Sequence, residues 1–329
     1  MCSKDFIIIA GRPHNKDVYF YLWVVELKEK NQYKSDFKKE LDKFSEKHEK
    51  YVSSVDGGWT IKGFTGVYKN IYTISSDTKI VSKILEIHIC PQILQFAQSI
   101  GYKIILAEKQ NWHRDLTFVD KENDEVKFAL DIKTTFRSNH KTAGFTLGSH
   151  GGYFKERDKD KNFRCTYNHY TGHYCLGVIY TRTDITDNLA ETEIFQVKDL
   201  EEEYQIPDKK VGLHDVTTVD NLKSITSVIK NFDFFEEQKW EISSDKQGSG
   251  NTANIGSVVD VDILRNGNVV FSQLGEEWFD EYRINHGSAS MIKNGKPAKI
   301  TNLKDFLEFK GRGNLLEKIV IKSSKIKAK

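Results

Sequence analysis

Apolar positions recur at helical spacing in two stretches of the chain. Between residues 35 and 51, Phe37, Leu41 and Phe44 stand among lysines and glutamates, and from 77 to 100 the apolar set is Ile80, Ile84, Ile87, Ile93, Leu94, Ala97 and Ile100. Both patterns predict amphipathic helices, the second capped by Asp77, bent at Pro91 and ended by Gly101. Elsewhere the apolar residues fall in short runs. Those at 6–10, 18–27, 102–106, 116–119, 126–133, 177–181, 255–264 and 269–272 read as strands, and the first two, parted by Gly11-Arg12-Pro13-His14-Asn15, read as a β-hairpin. Alternation broken by Gly57-Gly58, Gly63 and Gly66 predicts further strands with tight turns, and 167–176 reads as a helix.

With 329 residues and 38% apolar content, the chain can bury a real core. Forty-nine basic and 47 acidic residues leave a net charge of +2, so any case for a polyanionic partner must rest on local arrangement. The cysteines at 2, 90, 165 and 175 are too few and too uneven for a disulfide framework. The run at 6–10 is short for a signal peptide, and nowhere do about 18 apolar residues follow one another. These features lead to the expectation of a cytoplasmic protein with no membrane association.

The candidate chemistry lies in two adjacent strand-like runs. Asp115 precedes one of them, Asp131 comes sixteen residues later near the end of the next, and Lys133 follows two positions on. Residues two apart on a strand share a face, so Asp131 and Lys133 project together, and a hairpin would bring Asp115 close to both. Clustered carboxylates suit a hard cation such as Mg²⁺, and a lysine beside them can orient a water and stabilise charge on a phosphate. An isolated Asp-x-Lys is most often a solvated edge. Here the apolar Phe128-Ala129-Leu130 leads directly into it, as expected of a buried strand that delivers charge at its end.

Three blocks carry a resemblance that extends from about residue 35 to residue 313. They are Ser76-Asp77-Thr78-Lys79 running into Leu85-Glu86, then Gln110-Asn111-Trp112-His113-Arg114-Asp115 through Asp131-Ile132-Lys133-Thr134-Thr135, and finally Gly248-Ser249-Gly250-Asn251-Thr252-Ala253-Asn254-Ile255-Gly256-Ser257. In these blocks the chain resembles the PD-(D/E)xK nuclease superfamily and, within it, the EcoRV-like type II restriction endonucleases. The resemblance implies an α/β restriction-endonuclease-like fold, a mixed β-sheet flanked by helices with a smaller dimerisation subdomain. It divides the chain into an N-terminal extension (1–34, the hairpin), a dimerisation element (35–75), a catalytic and DNA-recognition domain (76–313) and a basic tail (314–329). It also implies Asp115, Asp131 and Glu86 as Mg²⁺ ligands and Lys133 as the catalytic lysine. Arg114 replaces the superfamily's proline, and Ala253 replaces a threonine.

In the glycine-rich loop, Gly248, Ser249 and Gly250 let the backbone approach base edges. Asn251 offers a donor and an acceptor suited to adenine, Thr252 a methyl suited to thymine, and Asn254 closes the set. Gln110 and Asn111 are expected along the minor groove, and Thr135 and Arg283 at phosphates. The expected activity is Mg²⁺-dependent cleavage of double-stranded DNA at a palindrome like GATATC, bluntly and with 5′-phosphate ends, by a homodimer whose two-fold axis matches the site. The competing expectations are a structure-directed or repair nuclease of the same superfamily and a noncatalytic DNA-binding protein. Cys165, His169, His173 and Cys175 hold four zinc-type ligands within eleven residues, but on a helix Cys175 would point away from the others, which argues against a zinc site.

Overall fold

The computed structural model describes residues 15–66, 70–106, 116–149, 154–158, 165–183, 194–197, 214–248 and 254–319. Helix α1 (Asn15–Val52) leads to strands β1 (Gly63–Thr65) and β2 (Asn70–Thr73), then to helix α2 (Thr78–Ser99). Strands β3 (Tyr102–Leu106), β4 (Leu116–Asp120), β5 (Lys127–Ser138), β6 (Lys141–Thr142), β7 (Thr146–Ser149) and β8 (Gly172–Arg182) follow. After β9 (Ile194–Val197) and β10 (His214–Thr217) come β11 (Ile229–Gln238), β12 (Ser243–Gln247) and β13 (Asn254–Ser257). The chain continues through α3 (Val261–Arg265), α4 (Val270–Leu274), α5 (Glu276–Asn285), the hairpin β14 (Ser290–Lys293) and β15 (Lys296–Lys299), and α6 (Leu303–Phe309).

A mixed sheet in the order β11-β8-β5-β4-β3 forms the centre, with β6 on the end of β5. Strands β5 and β8 run parallel, in register from Phe128 opposite Gly172 to Arg137 opposite Thr181, whereas the other neighbours are antiparallel. The two faces of this sheet carry two cores. On one face Phe128, Leu130, Ile132, Tyr174, Leu176 and Val178 pack against α1 and α2. On the other, Cys175 and Ile179 meet the small sheet β12-β13-β7 and helices α3 to α6. Phe37 of α1 stacks on Phe128 at 4.2 Å, so α1 is part of the helix-side core. Among the described residues no helix is long and apolar enough to cross a membrane.

Several expectations are corrected. The run at 18–27, expected as the second strand of a hairpin, lies inside α1, while its partner run at 6–10 is outside the described residues. No glycine or proline interrupts residues 15–52, so once the helix forms at 35–51 it propagates backwards. The stretch 167–176 is one 3₁₀ turn, Tyr167–His169, followed by β8, whose first nine residues are all buried. A strand covered on both faces loses its period of two and cannot be told from a helix by pattern alone. Beyond Ser257, Asp260 accepts the amide of Ile263 and starts α3, and the run at 269–272 lies mostly in α4, so neither is extended.

The long helix forms as expected. Asp77 Oδ1 accepts the amides of Lys79 (2.9 Å) and Ile80 (3.3 Å), and Pro91 lies inside. Its buried face, however, is Val81, Ile84, Leu85, Ile89, Ile93, Phe96 and Ala97, leaving Ile80, Ile87 and Leu94 exposed. The helix is apolar around most of its circumference, and only the shape of the sheet selects a face.

One glycine sets the spacing of the central strands. Gly177 lies between Lys133 on β5 and Phe235 on β11, and a Cβ there would stand 2.0 Å from the Phe235 ring. Gly177→Ala should therefore push out Phe235 and cost about 1–3 kcal/mol, the usual penalty of overpacking. Equilibrium urea unfolding measures it, and a loss below about 0.5 kcal/mol would show that the ring is not held there.

Candidate active site and recognition hairpin

The β4–β5 hairpin is built by its own sequence. Asp120 Oδ1 accepts the amides of Glu122 (2.8 Å) and Asn123 (3.0 Å), and Asn123 Oδ1 accepts that of Glu125, closing an Asx-type turn between two apolar runs. The register then runs from Val119 opposite Lys127 to Leu116 opposite Leu130. Asp115 immediately precedes that last pair in sequence and lies outside the described residues.

Phe128, Ala129 and Leu130 are fully buried, and Asp131 is itself only 3% exposed. With Phe128, Leu130 and Ile132 committed to the helix-side core, alternation turns Asp131 and Lys133 to the opposite face. A carboxylate so far from water is costly unless it meets positive charge. Lys239 supplies it. This lysine, also 3% exposed, follows the end of β11, donates its backbone amide to His173 O (2.9 Å) and places its ammonium against Asp131 Oδ2. Lys133 Nζ lies 3.8 Å from the same oxygen and is the more exposed of the two lysines. Nothing in the local sequence marks Lys239, which sits 108 positions from Asp131. Only the β11-β8-β5 order brings them together.

The donor chemistry at Asp131 fits a divalent cation: a hard carboxylate oxygen on which a positive group already rests. Glu86 is not drawn in. Its carboxylate accepts from Lys83 (2.9 Å) on the same helix, and no three His, Cys, Asp or Glu side chains among the described residues gather as a metal site. The same holds for the cysteine-histidine stretch, where Cys175 is packed in the core and His173 stacks on Tyr167 at 4.5 Å.

Strands β12 and β13 carry the glycine-rich segment at their tip. Gly248 donates to Asn254 O (2.6 Å) at its base, and Asn254 pairs with Ser149 of β7. A Cβ on Gly248 would stand 3.1 Å from Thr146 Cγ2, so the base is tight. Ser249, Gly250, Asn251 and Thr252 lie outside the described residues, as do Gln110 and Asn111.

Two expected phosphate contacts are corrected. Thr135 is 1% exposed and its hydroxyl donates to Gly144 O. Arg283 has no exposed surface at all. Its guanidinium donates to Ser243 Oγ (2.6 Å) and to Ser244 O, lies among the rings of Phe271, Phe279 and Tyr282, and has its pKa lowered to about 10 by burial. The neighbouring Tyr282 hydroxyl donates to Asp245 O (2.5 Å). Together they clamp the backbone of β12, the strand that leads into the glycine-rich tip.

A family model described as "Restriction endonuclease EcoRV" matches residues 55–211 and 203–311. The type II restriction enzyme EcoRV of Escherichia coli is 28% identical over 257 residues, 77% of this chain and 93% of that enzyme.

Arg283→Met should strand the buried acceptors on Ser243 and Ser244 and destabilise the chain by roughly 1–3 kcal/mol for each group left unsatisfied. Thermal and urea melts check this, and an unchanged stability would mean that Arg283 does not hold β12.

Proposed function

The chain belongs to the EcoRV restriction endonuclease family, and from that premise we propose that it uses Mg²⁺ to cut both strands of DNA at a short GATATC-like palindrome, bluntly and leaving 5′-phosphate ends. As a member of that family it is a type II site-specific deoxyribonuclease. The observation that carries the proposal is the delivery of Asp131 and Lys133 by a strand whose residues 128–132 are buried. The face they share is the one on which the β12–β13 hairpin packs.

Asp131 and Asp115 would hold Mg²⁺, which when bound supplies a Lewis acid for the phosphate oxygens. Lys133, at the exposed rim of the site, orients the attacking water and stabilises the charge that builds on the phosphate. The water oxygen bonds to phosphorus as the bond to the 3′ oxygen breaks, and the phosphate stays on the 5′ side. In the hairpin tip, Gly248 to Asn254 would read base edges in the major groove, with Asn251 and Thr252 as the discriminating side chains. Gln110 and Asn111 would follow the minor groove.

A palindrome calls for two readers, hence a homodimer. Phe64 and Tyr72 support β1–β2 as its seam: they are directly opposed across the two strands and are 52% and 41% exposed. Exposed aromatics side by side on a sheet are a common mark of an interface.

Incubation with mapped plasmid DNA and Mg²⁺ should give discrete bands, and Asp131→Ala should abolish them, with a loss of at least about a thousandfold, while sequence-specific DNA binding persists. Nicking only at branched or damaged DNA, or a gel shift with no cleavage by the unmodified protein, would refute the proposal. Phe64→Glu should convert the dimer to a monomer in sedimentation velocity; an unchanged sedimentation coefficient would exclude this seam.

A further inference from the structure

We infer that Lys239 is a resident counter-cation of the metal-binding carboxylate, holding Asp131 in the metal-free protein and giving up its oxygen when a divalent ion arrives. The inference rests on the reading of Asp131 as a metal ligand. Two observations carry it. Asp131 and Lys239 are each 3% exposed, so their charges are removed from water together, and the ammonium contacts Oδ2 directly. A second ammonium, that of Lys133, stands 3.8 Å from the same oxygen.

The arrangement gives the two lysines different work. An unpaired buried carboxylate is expensive, and without Lys239 the charge of Asp131 would fall to Lys133 alone, which already stands within ion-pair distance at 3.8 Å. Lys239 takes the closer place on the carboxylate, so Lys133 is not its sole counter-charge. The same contact sets Lys239 against the divalent ion. Two positive groups cannot share one buried oxygen without strong repulsion, because the attenuated screening there raises the cost of like charges within about 4 Å. Lys239 is thus a positioning residue, and the metal affinity of the resting protein reflects the cost of displacing it.

The test uses the full chain without DNA. Lys239→Met keeps the length of the side chain and removes the charge. The variant should melt at a lower temperature than the parent without metal and bind Mn²⁺ more tightly by calorimetry, by about tenfold or more, since a competing cation is gone. Its melting temperature should also rise further on adding Mn²⁺ than the parent's does. A residue that merely packs would lower stability without tightening metal binding, so equal or weaker Mn²⁺ affinity in the variant overturns the inference. A second measurement, assigned with the charge-conserving Lys239→Arg, covers the case in which Lys239→Met does not fold. In protein labelled with ¹⁵N-lysine, the slowly exchanging ammonium signal absent from Lys239→Arg should shift and exchange faster on titration with Ca²⁺. A signal unchanged at saturation overturns the inference. If the unmodified protein binds no divalent ion, the metal-site reading itself fails; if it binds and the variant binds no better, only the role of Lys239 fails.

Discussion

The parallel pairing of β5 with β8 is the constraint on which the other features of the molecule depend. Ten residues of each strand are matched without interruption, and residues 128–132 of β5 and 172–180 of β8 are buried on both faces. Every second residue therefore belongs to the helix-side core and the others face the small sheet. A slip of one position would exchange those sets and turn Asp131 and Lys133 into the apolar layer beneath α1 and α2. Gly177 marks how closely the layer is fitted, since it stands opposite Lys133 and accommodates the ring of Phe235.

Around this ladder two buried charged groups, Asp131 and Arg283, are each set against a specific partner. Asp131 meets Lys239 across the sheet, and Arg283 meets the backbone of β12 from below. Such pairs add little net stability compared with apolar residues of the same shape, but losing one partner is costly. They are better understood as devices of position. The first holds the carboxylate at the end of a strand, and the second holds the strand that carries the glycine-rich tip. Both sit on the same side of the central sheet, where only eight residues separate Lys239 from Gly248. The Asp131–Lys239 pair and the base of the glycine-rich hairpin are thus anchored by consecutive parts of one segment.

Much of this was readable in the chain. Asp77 announces α2, the Asp120–Glu125 turn announces the β4–β5 hairpin, and the apolar lead into Asp131 identifies a buried strand with a charged end. These are local signals, made of hydrogen bonds between near neighbours and of side-chain alternation within one strand. Pattern failed where burial is two-sided or a helix spreads. β8 lost its alternation, α1 absorbed the run at 18–27, and short apolar runs after Ser257 became helices. α2, apolar on most sides, did not disclose which of its isoleucines would face the core.

By itself the sequence determined the spacing of the acidic residues and the lysine, the glycine-rich tip, and the kinship that these motifs carry. Only the tertiary structure decided what stands around them. It placed Lys239 on Asp131, withdrew Arg283 and Thr135 from solvent, and left Glu86 with Lys83. The physical reason is range. A motif is written by bonds and periodicities spanning a few residues, whereas the partner of a buried charge is chosen by strand order, which joins residues more than a hundred positions apart.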